Sequence, residues 1–419
     1  MASLFVSHSS RDRAGVERVH ERLRAEGFAA LFLGFDPAQG IPAGRSWERE
    51  LYAQLRKTDG VIFLASAASV TSSWCFAEVS LARSLGRPVF PLRLDADARL
   101  SLLDDVQWVD LAEGEPAFTR LLAGLRRAGV DPSDSFDWDP ARAPFPGLEP
   151  FGSEDAAVFF GRDQEIDRLL ELLQPTLQRG AGRFVAIVGP SGSGKSSLLR
   201  AGLLPRLRRL QEHWVVLHPL VPGLRPTENL ARSLARGFAE RERGRPVAEL
   251  GTQLSRGAPA LVELADELCE VNGGRSNLLV VVDQAEELLT RSGVREQQSF
   301  LRLLGGALGD DSPLWVVATV RSEFLSTAPE RAGLAEVVDD PLMVEPLSRS
   351  RLPEVIKRPA QRAGLDFAPG LVERMVEETT GGDALPLLAY TLRELYQRAG
   401  PDRMVSATEE GVLEPSRSS

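Results

Sequence analysis

The chain has 419 residues, 43% hydrophobic and 26% charged, enough for two or three domains that each bury a core. Its net charge of −10, with no basic patch interleaved with aromatics, argues against a general nucleic-acid binder. Two distant cysteines, Cys75 and Cys269, and four scattered histidines argue against a disulfide framework and a metal-ligand cluster, and fit a reducing cytoplasm.

From the N-terminus to about residue 130, short apolar runs alternate with amphipathic helices. LFV (4–6), AALFL (29–33), GVIFLA (60–65), PVFPLRL (88–94) and VQWVDL (106–111) read as buried strands. The helix after the first strand carries Val16, Val19, His20 and Leu23 on one face. Ser9 and Asp12 stand at capping-box spacing, and Gly27 marks its end. Such alternation predicts an α/β domain with a parallel, doubly wound sheet.

SSWCFAE (72–78) sets Glu78 in a helix starting near Ser73, at helical spacing from Trp74, Leu81 and Leu85. A carboxylate on such a stripe costs solvation energy unless it is paired or used. It is no capping-box acid, because three residues before it stands Cys75, not Ser or Thr.

Residues 131–152 are dense in Pro, Asp and Gly and read as a linker. Phe136, Trp138, Phe145 and Phe151 imply that it packs onto a neighbour. A second α/β domain is expected over 153–346, with strands at 184–188, 214–220, 278–283 and 314–320. Residues 347–419 are mostly helical, with Pro353, Pro359 and Pro369 predicted to separate short helices.

GPSGSGKS (189–196) matches G-x-x-x-x-G-K-[ST] between a predicted strand and a predicted helix. Its glycines permit a tight loop whose backbone N–H groups face phosphates, and the helix N-terminus adds positive potential. The loop residues Gly189, Pro190, Ser191, Gly192, Ser193, Gly194, Lys195, Ser196 and Ser197 are therefore the candidate ATP or ADP site. Lys195 would reach the β- and γ-phosphates and Ser196 would hold Mg²⁺. Lysine is rare here (only Lys57, Lys195 and Lys357), so its use at this position is informative. Asp283, ending an apolar strand, is the second expected Mg²⁺ residue; Glu286 or Glu287 would polarise the attacking water. Arg321, after the strand at 314–320, is placed to sense the γ-phosphate, with an ordinary surface arginine as the alternative.

With PFPGLEPFGSEDAAVFFGRDQEI (144–166), DQAEE (283–287), TVRSEF (319–324) and GGDALPLL (381–388), the region 144–400 resembles the STAND class of signalling NTPases. The resemblance implies that Phe160, Gly161 and Arg162 lie beside the adenine. It also implies that Pro386 opens a helix of a winged-helix-like part that closes over the nucleotide. The histidine that many relatives use in that closing part is missing, and no repeat sensor of the usual kind is expected within these 419 residues, a truncated chain or a separate sensing partner being the two explanations.

FVSHSSRDR (5–13), DPAQGIPAGRSWERELYAQL (36–55) and SSWCFAE resemble a TIR domain over residues 1–130, implying a flavodoxin-like fold. In enzymatic TIR domains the glutamate at the position of Glu78 is catalytic in cleaving the nicotinamide–ribose bond of NAD⁺, and a carboxylate suits an oxocarbenium-like transition state. Phe5, Ser7, His8, Asp36 and Trp74 are the expected NAD pocket, and Trp47 is expected in the core. Glu78 as a mere interface charge is the alternative, since many TIR domains only assemble. The implied protein is a cytoplasmic defence effector that self-associates on ATP binding and depletes NAD⁺ after an unknown trigger. A non-enzymatic TIR scaffold is the competing expectation. No apolar run approaches the ~18 residues of a spanning helix, and no export signal is visible, so no membrane partner is expected.

Overall fold

The computed structural model describes residues 2–33, 47–139, 141–174, 183–210, 213–271, 276–309, 312–324, 341–379, 384–399 and 404–405. Five strands form the first sheet: β1 (Ser3–Ser7), β2 (Ala30–Leu33), β3 (Gly60–Ala65), β4 (Val89–Arg93) and β5 (Val109–Asp110). They are all parallel, in the order β2-β1-β3-β4-β5. β1 and β3 are buried along their whole length, as a sheet covered on both faces requires. One face packs Val16, Val19 and Leu23 of the helix Arg13–Ala25 together with Phe118, Leu121 and Leu125 of the helix Glu115–Arg127. The other packs Leu51 and Leu55 of the helix Trp47–Lys57 with Cys75, Val79 and Ala82 of the helix Ser73–Ser84.

Two local expectations need correction. The first helix starts at Arg13, and Asp12 makes no side-chain cap; its carboxylate instead accepts from the Ser66 hydroxyl at 2.7 Å. A hydroxyl brought from the turn after β3 competes successfully with the local cap. The run at 106–111 pairs only over Val109–Asp110, because the Asp110 carboxylate turns back to accept from the Ala112 N–H at 2.9 Å.

The second sheet contains β6 (Phe184–Gly189), β7 (Trp214–Val216), β8 (Asn277–Val282), β9 (Leu314–Arg321) and β10 (Leu342–Met343), parallel in the order β10-β6-β9-β8-β7. β7 is shorter than its apolar run, since Pro219 has no N–H to donate; only a single bridge, Leu220 to Val282, continues it. The helices Pro226–Ala239, Ala258–Val271 and Val294–Ala307 close the core on one face through Leu230, Leu234, Leu264, Leu268 and Phe300.

Later in the chain come the helices Leu352–Ala363, Leu371–Glu378 and Ala384–Arg398, and a parallel pair of β11 (Asp366–Phe367) with β12 (Met404–Val405). Pro359 sits inside the helix Leu352–Ala363 rather than between helices. The buried stripe of Leu352, Ile356, Ala360 and Ala363 outweighs the one backbone bond that the proline forfeits.

The chain divides into two compact units that cut across the expected linear division. The first comprises Met1–Phe145, Glu354–Val372 and Arg393–Ser419, and the second Pro146–Pro353 and Glu373–Leu392. The segment expected as a linker is packed: Phe136 and Phe145 are buried, and the Ser135 hydroxyl accepts from the N–H groups of Ala29 and Ala30 at 3.0 and 3.1 Å.

Candidate functional sites

Ser72 caps the helix Ser73–Ser84, its hydroxyl accepting from the Cys75 N–H at 3.3 Å. The buried face of that helix consists of Cys75, Glu78, Val79 and Ala82. Glu78 is 4% exposed, and its Oε2 accepts from the Ser7 hydroxyl at 2.6 Å. Burial pushes its carboxyl up to about 7, and the Ser7 hydrogen bond opposes the rise. Ser7 ends β1 and Ser66 follows β3, the adjacent strands at which strand order reverses. The carboxyl edge of such a switch point is where open α/β sheets place ligands.

Of the other expected pocket residues, His8 is buried, its Nδ1 is 3.1 Å from the Val6 carbonyl oxygen, and burial lowers its pKa, favouring neutral imidazole. Phe5 is a correction: its ring is wholly buried, stacks on Phe32 at 5.4 Å and presents no surface to a ligand. Trp74 is 41% exposed and lies off the buried face that carries Glu78, so it is not part of the apolar stripe expected for it. A helix turns 100° per residue, so the stripe follows Cys75, Glu78 and Val79 instead. Asp36 lies outside the described residues. The Cys75 thiol, pushed up to about 11 by burial, is a packing group rather than a nucleophile.

In the second unit the phosphate loop leaves β6 and enters a helix that runs from Lys195 to Arg209 through a π-helical turn, Leu198–Leu203. Gly192 and Gly194 take left-handed φ of +74° and +89°, conformations that L side chains resist. Lys195 is buried, with its Nζ 2.7 Å from the Pro190 carbonyl oxygen across the loop. Burial lowers the Lys195 pKa and raises that of Glu286, and the two charges partly offset this for each other. Asp283 is fully buried and its Oδ1 accepts from the Ser196 hydroxyl at 2.8 Å. Glu286 Oε1 is 3.1 Å from Arg321 Nε, while its buried Oε2 has no hydrogen-bond partner. Ser193 Oγ is likewise buried without one. An open hydroxyl at Ser193 in a loop with left-handed glycines fits a phosphate-bearing ligand, and the open Glu286 oxygen fits a water or other donor beside it.

Residues 144–410 match the family model described as novel STAND NTPase 1, and residues 4–123 match that of the TIR domain. The chain belongs to the novel STAND NTPase 1 family. It is a TIR–STAND fusion. No curated protein matches it. Among solved structures, it is similar to the TIR domain of the Toll-related receptor TRR-2 from Hydra magnipapillata (15% identity, TM-score 0.27, 30% of this chain and 99% of that one). It is also similar to the Aeropyrum pernix ORC2 protein (16%, TM-score 0.41, 60% and 66%) and to the AAA domain of FIGL-1 in complex with ADP (16%, TM-score 0.35, 65% and 88%).

In the STAND region, Arg162 is a brace: its Nη2 donates to the carbonyls of Ser193 and Glu345 at 2.8 and 2.9 Å, tying the phosphate loop to the segment after β10. Gly161 precedes it at φ +82°. The Ser197 hydroxyl accepts from the Phe151 N–H at 3.1 Å. Pro386 is half-buried in the first turn of the helix Ala384–Arg398. That turn approaches the loop, with Leu385 3.9 Å from where a Gly194 side chain would begin. Of the two glutamates, Glu286 faces Lys195 and Arg321, whereas Glu287 starts the short helix Glu287–Thr290 and pairs with Arg291 at 3.4 Å. Glu287 is therefore not brought to the site.

Thr319 and Arg200 are participants that motif reading missed. Thr319 donates to Asp283 Oδ1 at 2.6 Å and accepts from the Gln284 N–H at 2.8 Å. A lone hydroxyl in the apolar strand LWVVATV was the available signal. For Arg200 no local pattern signals a role, because the π-helical turn alters the helical register.

Gly189 carries a further expectation. A Cβ there would stand 2.4 Å from the Val344 carbonyl oxygen, against the backbone continuing β10. Gly189→Ala is expected to cost about 1–3 kcal/mol by overpacking and to displace the edge strand. Amide exchange should accelerate at Val344, whose N–H donates to Val188 at 2.6 Å, while exchange in β8 stays unchanged.

Proposed function

We propose that this chain is a nucleotide-gated defence effector: ATP-driven self-association of the STAND NTPase activates a TIR domain that hydrolyses NAD⁺. The observation that carries the reading is the buried Glu78 carboxyl, hydrogen-bonded to Ser7 at the carboxyl edge of β1. In the reaction the nicotinamide–ribose bond breaks, nicotinamide leaves with the bonding pair, water bonds to the ribose carbon and a proton is released. Glu78, as carboxylate, offsets the positive charge that develops on the ribose, and its desolvation magnifies the effect. The cationic nicotinamide ring favours the ionised form of Glu78 and so prepares the acid on binding.

In the STAND domain, Lys195 and the loop N–H groups hold the phosphates of ATP or ADP, Arg321 lies beside them, and Glu286 orients water through its open oxygen. Ser196 would hold Mg²⁺, which when bound supplies charge neutralisation at the phosphates; Asp283, the second residue expected there, accepts from the Ser196 hydroxyl and orients it. Among the described residues no helix is long and apolar enough to cross a membrane, and a cytoplasmic location is part of this reading.

The test is nicotinamide release from NAD⁺ by the full chain with Mg-ATP, beside Glu78→Gln and Lys195→Ala. Loss of release in Glu78→Gln with oligomers intact, and loss of both in Lys195→Ala, is the expected result. Oligomers that never release nicotinamide, in any variant, would overturn the reading in favour of a TIR scaffold.

A further inference from the structure

Asp283 is the one acid of the phosphate site whose oxygens are all engaged by the protein itself. Oδ1 takes the hydroxyls of Ser196 and Thr319 at 2.8 and 2.6 Å. Oδ2 takes Nε of Arg200 at 2.8 Å and Nη2 at 2.7 Å. Arg200 lies in the π-helical turn Leu198–Leu203, and its side chain is 31% exposed while Asp283 is wholly buried. Glu286, by contrast, keeps one oxygen open. The carboxylate expected to attract a divalent cation is thus already neutralised by a fixed guanidinium.

We propose that Arg200 is a positioning residue that takes the place of a divalent cation at Asp283, so that this site retains ADP with little help from Mg²⁺. The inference rests on reading the loop as a nucleotide site. A buried carboxylate needs a compensating positive charge, and in this fold either a guanidinium or a metal can supply it. With Arg200 present, Mg²⁺ meets a carboxylate whose charge is offset and whose lone pairs are occupied, so it adds little affinity. Without Arg200, the remaining nearby protein cation is Lys195, whose Nζ is held by the Pro190 carbonyl, so Mg²⁺ becomes the main compensation for Asp283 and both nucleotide retention and the fold come to depend on it. Arg200→Lys keeps a charge but loses the two-nitrogen grip on Oδ2, so it should fall between the two.

Two measurements on the full chain test this. First, ADP affinity is measured by competition against a fluorescent ADP, in Mg²⁺ and in EDTA. The ratio of the two affinities should stay within about threefold in the parent protein and exceed about tenfold in Arg200→Met. Second, melting is followed with Mg²⁺ alone and no nucleotide. The parent should be indifferent, Arg200→Met should melt lower and be rescued by Mg²⁺, and Arg200→Met/Asp283→Asn should recover without Mg²⁺. A merely structural arginine gives a variant whose deficit neither Mg²⁺ nor Asp283→Asn relieves, and that result overturns the proposal. So does an affinity ratio equal in parent and variant. If no form binds ADP at all, the nucleotide-site reading fails by itself, and the Mg²⁺-dependent melting still decides the role of Arg200.

Discussion

Glu78→Gln is expected to lose nicotinamide release and to gain stability above neutral pH, two opposite effects of one buried charge. In the folded chain burial raises the carboxyl from the ordinary 4.5 to about 7. Below pH 4.5 both folded and unfolded chains hold the proton. Between about 4.5 and 7 the unfolded chain releases it first, so stability falls as pH rises, and above 7 the full loss is present. A rise of that size corresponds to roughly 3 kcal/mol at most. Gln keeps the shape and can still accept from Ser7, but it carries no charge to desolvate. Urea unfolding at pH 5 and pH 8 should therefore show the parent losing about 2 kcal/mol or a little more relative to Glu78→Gln, part of the total being lost already at pH 5. Parallel pH dependence in the two proteins would mean that the carboxylate is stabilised by more than Ser7. On the catalytic side, release at low NAD⁺ should rise through pH 7 as the carboxylate forms in the free protein, and at saturating NAD⁺ the rise should come at lower pH. A site that sacrifices stability in this way is what chemistry at a buried acid requires.

Asp59→Ala is expected to destabilise the first unit by about 3 kcal/mol, the low end for stranding a buried charge, because Asp59 keeps 20% exposure. Arg362, 7% exposed, has Asp59 at 3.6 Å and donates to the carbonyls of Phe136 and Lys57 at 3.3 and 3.4 Å. Arg358 approaches the same carboxylate at 3.6 Å, and Asp59 also accepts from the Ser3 N–H and hydroxyl at 2.9 and 3.0 Å. Burial lowers the Arg362 pKa and the Asp59 charge opposes that fall. Removing Asp59 leaves Arg362 with two long carbonyl bonds and only the weaker counter-charge of Asp137, whereas Arg362→Met removes the charge that needs compensation. Chemical unfolding of the single and double variants should show the double losing much less than the sum. Additive losses would mean that the pair is not coupled. Amide exchange in the part of the helix Leu352–Ala363 near Arg362 should rise in Asp59→Ala, since Arg362 anchors that helix to Lys57 and Phe136.

Much of this protein was legible along the chain. The apolar runs at 4–6, 60–65, 184–188 and 278–283 became buried strands because burial on both faces of a parallel sheet leaves no room for polar alternation. The phosphate loop was legible because its chemistry is contiguous: glycines, Lys195 and Ser196 act within one turn. Glu78 stood out because an acid on an apolar face is costly wherever it occurs. Local reasoning failed where a partner came from elsewhere, as when Ser66 drew Asp12 away from its cap, or where several residues shared one spacing, as with Trp74.

The sequence by itself determined the order of strands and helices, the two domain families and the residues able to carry chemistry. The tertiary structure alone decided which of those residues meet. Ser7 and Glu78 lie 71 positions apart, Arg200 and Asp283 83, and Lys57 and Arg362 305. Periodicity and motif spacing report the energetics of neighbours within a turn or two of backbone. A buried carboxylate takes its properties from whatever the packed fold sets within hydrogen-bonding distance, and that is a property of the sheet order rather than of the local chain.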